Sequence, residues 1–216
     1  NHDYATGIVP QNRLNRASAS LRLNSKLSKS IEVDAKINYM NQKVKGKPWT
    51  GENIFNPVRQ IYTMPRNIVL DDAKTYEYVS TGGTIKTLQH HWLPGGADLS
   101  QNPYWVVNRN VRSDERNKIL AMGSVKWTIL EGLSLMIRSS VDYYHDSGEF
   151  KLYNDTYQRA PNGDYILDSY DSFEWNNDFL LTYAKTLSED WIFDVNFGGS
   201  TFYQNRKGSS YSNTEL

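Results

Sequence analysis

Apolar and polar residues alternate with a period of two along six stretches of this chain. Ile31, Val33, Ala35, Ile37 and Tyr39 alternate with Glu32, Asp34, Lys36 and Asn38. Leu133, Leu135, Ile137, Val141 and Tyr143 alternate with Ser134, Arg138, Ser140 and Asp142. Phe173, Trp175, Phe179, Leu181 and Tyr183 do so with Glu174, Asn176, Asp178 and Thr182. Successive side chains of a strand point to opposite faces, so each stretch has one apolar and one polar face. The pattern predicts strands at about 13–26, 31–43, 117–128, 133–144, 172–183 and 191–203. Leu120 and Met122 interrupt the third of these.

The stretches pair as three hairpins. Ser28-Lys29-Ser30, Glu131-Gly132 and Leu187-Ser188-Glu189-Asp190 are short turns. Residues 44–115 form a long irregular connection that holds Gly82-Gly83, Gly95-Gly96 and most of the prolines. Loops of that length in a compact domain are usually functional. Within it, 56–62 reads as a short helix ended by Pro65. Asn162-Gly163 reads as a type I′ turn between 152–159 and 165–170. Connections therefore alternate short and long. Trp127, Tyr183 and Trp191 lie beside the short turns, whereas Tyr39, Tyr143, Trp175 and Tyr203 lie at the opposite ends. Rings at both ends of the apolar stretches match the two aromatic girdles of a membrane barrel. The expected fold is all-β: an antiparallel transmembrane β-barrel segment of about six strands, with short periplasmic turns and long extracellular loops. The competing reading is a soluble sandwich or barrel whose apolar faces meet in a core.

Composition narrows the class. With 216 residues, Tyr 15 and Trp 6, the chain has no apolar run of ~18 residues, which excludes helical spans from the sequence. Lys+Arg 24 balance Asp+Glu 24, so charge gives no case for nucleic acid. There is no cysteine, hence no disulfide, thiolate metal site or cysteine nucleophile. Both ends, Asn1-His2-Asp3-Tyr4 and Ser212-Asn213-Thr214-Glu215-Leu216, read as cuts through a longer protein.

Several motifs together resemble one family. Asn56-Pro57-x-Arg59-x-x-Tyr62-x-x-Pro65-Arg66 and Asn102-Pro103-Tyr104-Trp105 are two of them. Asp114-Glu115-Arg116-Asn117 entering a strand, Leu133-Ser134-Leu135, Asp142-Tyr143-Tyr144 and the opening Thr6-Gly7-Ile8-Val9-Pro10 complete the ordered set. It resembles the SusC/RagA family of TonB-dependent outer-membrane transporters of Bacteroidetes. The resemblance implies one receptor β-barrel domain across 1–216, in the bacterial outer membrane. It further implies active import of oligosaccharides or peptides under a SusD-like lipoprotein lid, with energy from the TonB complex through parts absent here. Large transporters of this kind have ~22 strands, so six strands would be an internal fragment.

The chemistry-bearing residues give no active site. His90-His91 would point apart in extended backbone, and no carboxylate pair is spaced to complete a metal site. Asp71-Asp72 and Asp114-Glu115 read as solvated flanks, and no nucleophile, phosphate or zinc-protease motif occurs. No enzyme activity, metal or cofactor is expected. Trp49, Trp92, Tyr104 and Trp105 in the long loop are the ligand candidates, since ring faces stack on sugars or grip peptide side chains. Asn56, Pro57, Arg59, Tyr62 and Arg66 are expected to hold the loop's own fold. A passive adhesive barrel and a secreted carbohydrate-binding or hydrolytic module remain as alternatives.

Overall fold

The computed structural model describes residues 1–92, 99–188 and 191–213. Seven strands form one antiparallel meander in the order β1-β2-β3-β6-β7-β8-β9. They are β1 (His2–Thr6), β2 (Arg13–Lys26), β3 (Ile31–Lys45), β6 (Val111–Leu130), β7 (Leu133–Leu152), β8 (Asp164–Thr186) and β9 (Ile192–Asn213). Between β3 and β6 lie helix α1 (Pro57–Thr63), the hairpin β4 (Glu77–Ser80) with β5 (Lys86–Gln89), and helix α2 (Pro103–Arg109). The sheet is open, with β1 and β9 as its edges. Among the described residues no helix is long and apolar enough to cross a membrane, which says nothing of strands.

Register shows that the alternation works as one surface. Ile37 pairs with Leu21 and with Ala121, and that row continues through Val141 and Trp175 to Tyr203. Directly paired residues share a face. Ile37, Leu135, Ile137, Phe179, Val195 and Phe197 therefore lie on one side, and Glu32, Asp34, Arg138, Asp178, Asp194 and Asn196 on the other. Leu120 and Met122 break the alternation because they sit on the polar side, opposite Asn38 and Lys36. Ion pairs bridge that side: Arg22–Asp34, Arg138–Asp178 at 2.9 Å and Arg116–Asp146 at 2.6 Å. On the apolar side the large residues are exposed: Ile37, Ile137, Phe179 and Phe197 have no second layer over them among the described residues.

The aromatic residues cross this register obliquely. The row of Tyr4 runs through Asn15, Lys43, Glu115, Ser147 and Ser169 to Ser209, six residues beyond Tyr203 on β9. Six residues at ~3.3 Å, set against six strand steps of ~4.8 Å, make a line tilted by ~35°. At the other end Trp127 shares a row with Leu181, and Tyr183 lies two residues lower, the same sense of slope. Strands of transmembrane barrels tilt by ~35–45°.

Four expectations need correction. The main sheet has seven strands and not six, because the short β1 has too few residues to display a period. β7 and β8 run on past the apolar band toward Asn162-Gly163, as the stretches flanking that turn suggest, but β6 and β9 also run beyond the expected 117–128 and 191–203, where the apolar side becomes polar (Asn117, His145, Asp171) and hydropathy no longer marks a strand. The described part of the long connection, 46–92 and 99–110, is not irregular, since two helices and a hairpin organise it. Asn162-Gly163 is not a type I′ centre. Only Gly163 has positive φ, 86°, and its N–H bonds the Ala160 carbonyl at 3.2 Å. Pro161 and Asn162 are the central pair, because proline pre-sets φ at the first central position. Gly132 does satisfy its turn: at φ 80° a Cβ would meet the Ala184 carbonyl oxygen at 2.2 Å. Glu189, Asp190, Gly95 and Gly96 lie outside the described residues.

Candidate functional site

Residues 46–92, 99–110 and 153–163 fold together into a cap at the end of the sheet opposite the short turns. Both helices start the same way. Asn56 Oδ1 accepts from Val58 N at 3.0 Å, Asn102 Oδ1 accepts from Tyr104 N at 2.9 Å, and proline follows each cap. Proline costs nothing there, since its missing N–H is one of the helix's orphan donors. The helix at 56–62 was legible from that signature, and Asn102-Pro103 carried the same signal for α2.

A polar network ties the cap together. The buried Gln60 accepts from Gln101 N at 2.9 Å and donates to the Ile54 carbonyl at 2.6 Å. Gln89 Nε2 donates to Gln101 Oε1 at 2.9 Å, and Gln89 Oε1 accepts from Asn102 N at 2.7 Å. The second connection locks onto the first through Asp155, which accepts from Gln89 N at 2.7 Å, and through Tyr157, whose hydroxyl donates to the Gln89 carbonyl at 3.0 Å. Burial pushes the Asp155 carboxyl above its ordinary range and the Tyr157 phenol up to about 12. Beneath lies a small apolar core of Phe55, Val106, Leu152 and Ala160, with Trp49, Ile54 and Phe150 against it. Sequence reading missed the three glutamines, because nothing local separates a buried glutamine from an exposed one.

The four candidate rings do not form one platform. Trp105 is 0% exposed and donates Nε1 to Thr156 Oγ1 at 3.1 Å, so it has no face to offer a ligand. Trp49 stacks edge-on to Phe150 with centroids 5.4 Å apart, under the Arg112 guanidinium at 4.5 Å. Trp92 lies against His91 at 4.1 Å, and its indole N–H is buried without a hydrogen-bond partner among the described residues. Tyr104 lines an apolar groove of about 250 Å³ between the 7–12 turn and the two helices, together with Ile8, Val58, Ile61 and Val107. Of the expected structuring residues, Asn56 and Pro57 serve α1, and Arg59 reaches Glu52 at 3.5 Å. Tyr62 is 86% exposed and Arg66 is also exposed. Among the described residues neither side chain makes a hydrogen bond or an ion pair. Arg109 fills that role instead, gripping Glu77 with two bonds of 2.6 and 2.8 Å. Among the described residues no three His, Asp or Glu are grouped to hold a metal ion.

No family model matches the sequence, and no curated protein matches it. Solved structures do match. The RagAB peptide importer in its closed-closed state superposes with a TM-score of 0.67 at 18% identity, over 100% of this chain and 23% of that one. The same importer in its open-open state gives 0.65 at 18% identity, over 95% of this chain and 22% of that one. The chain thus spans under a quarter of the length of these neighbours. The likeness is one of fold alone, a distant RagA-like one.

Proposed function

We propose that this chain is part of the wall and external cap of an outer-membrane transporter that imports peptides or oligosaccharides. A SusD-like lipoprotein closes over the cap, and a TonB complex supplies energy through other parts of the protein. The observation that carries this reading is the single-layer sheet with an uncovered apolar face, bounded at both ends by oblique aromatic lines. On β7 the band from Leu133 to Tyr143 spans ten residue steps, ~33 Å along the strand and ~27 Å across the membrane at a ~35° tilt. The apolar band of outer-membrane barrels is ~25 Å tall. The likeness to a peptide importer supports transport, and favours peptide over oligosaccharide. The wall itself performs no covalent step.

In this reading Tyr104 and Trp92 are the rings available to ligand or lid, and Trp49 and Trp105 hold the cap. The apolar groove beside Tyr104 and the exposed Ile8 and Tyr62 make a surface suited to a protein lid. The test is uptake of a labelled peptide pool by cells lacking the complete gene, with and without its restoration. Restored uptake that collapses when the inner-membrane proton gradient is discharged is the expected result. Unchanged uptake, with the protein in the soluble fraction, refutes the proposal.

A further inference from the structure

Two like-charged cationic pairs stand directly opposite each other across β2 and β3: Arg22 with Lys36, and Arg13 with Lys45. Like charges in that position repel. The first pair lies on the polar face and is neutralised there, because Arg22 donates to both oxygens of Asp34 at 3.0 and 2.8 Å. The second lies on the apolar side, beyond the aromatic line. Arg13 and Lys45 are both exposed, and among the described residues neither side chain has an acidic partner. The nearby carboxylates are taken: Glu115 pairs with Lys43 at 3.2 Å, and Glu149 with Lys151 at 2.9 Å. Thr6 and Ser113 flank the pair in the same row; the Ser113 hydroxyl donates to Glu149 Oε2 at 3.4 Å, so Thr6 is the hydroxyl left to add.

We infer that Arg13 and Lys45 hold the phosphate of an outer-leaflet lipid headgroup. The inference rests on the membrane-wall reading above. The aromatic line from Tyr4 to Tyr203 crosses β3 near Asn41, so Lys45 lies two rows above it. Two rows are ~13 Å along a tilted strand, or ~11 Å along the membrane normal. Arginine and lysine extend their charge along flexible stems, which brings both heads toward the headgroup zone next to the rings. The guanidinium fork matches two phosphate oxygens, and the ammonium adds a point charge. A phosphate between them converts a repulsive pair into a bridged one.

The test uses the complete protein in an uncharged detergent, titrated with monophosphorylated lipid A, with the same lipid after dephosphorylation, and with inorganic phosphate. Wild type is expected to prefer the phosphorylated lipid by about tenfold or more, as two charge-assisted contacts require. R13Q/K45Q is expected to lose that preference while its lipid-free melting temperature holds or rises, because the repulsion is gone. Equal preference in wild type and variant overturns the inference, as does displacement of the lipid by millimolar phosphate, which would mark a site for the free anion. A protein that needs no detergent at all would instead overturn the membrane reading.

Discussion

Placing a charge at Ile137 gives the sharpest check on the two-faced wall. Ile137 is on the apolar side of β7, between Val125 and Phe179, and is 55% exposed with nothing packed over it. It lies four residues above Leu133 in a band of ten residue steps, ~11 Å from the lower edge of a band ~27 Å tall, hence close to the midplane. A lysine there is expected to destabilise the folded, membrane-inserted protein by ~2–4 kcal/mol. Ser140, three residues along, points to the polar side between Met122 and Asn176. A lysine at Ser140 is expected to cost little, since that side already carries Arg138 and Asp142 on the same strand. The assay is reversible urea unfolding of the complete protein in lipid vesicles, followed by tryptophan fluorescence and by the gel-mobility difference between folded and unfolded barrels. Equal costs for Ile137→Lys and Ser140→Lys, or a larger cost at Ser140, would refute the assignment of faces and with it the membrane wall.

Three other outcomes are expected. Trp105→Ala should loosen the cap by ~3–5 kcal/mol, through the lost burial and the orphaned Thr156 contact, and should speed hydrogen exchange across 46–110 while the strands stay protected; unchanged exchange would remove Trp105 from the cap's core. Residues 1–216 expressed alone should aggregate or need detergent, since β1 and the long β9 present unpaired backbone edges; a soluble monomer with a cooperative melt would instead favour a self-contained sandwich. The Tyr157 phenol, raised by burial to about 12 against ~10 in an unfolded chain, contributes stability to the cap that is fully present below pH ~10 and is lost as pH rises toward 12; a Tyr157→Phe variant should lack that alkaline loss, and a tyrosinate signal assigned to Tyr157 at pH 10 would contradict it.

Two local rules carried most of what was legible. Alternation with period two assigns each strand residue to a face through strand geometry alone, so the sides of Ile37, Leu135 and Phe197 follow without any partner strand. An Asn-Pro pair sets a helix start by capping and a fixed φ, so α1 was visible, and α2 carried the same unread signal at Asn102-Pro103. The short turns are likewise local, and with the alternation they announced an all-β antiparallel sheet. Tertiary structure decided the rest. Trp49, Trp92, Tyr104 and Trp105 share residue type and loop, yet one is sealed against Thr156, one is wedged beneath Arg112, one leans on His91 and one lines a groove. Gln60, Gln89 and Gln101 became a buried network only because α1, the β4–β5 hairpin and the 153–163 connection converge on them. The bonds that close the network span long stretches of chain, 41 positions from Gln60 to Gln101 and 56 from Gln101 to Tyr157. A window short enough to show a period does not reach from Gln60 or Tyr157 to Gln101, so alternation assigns the strand faces while the cap waits on packing.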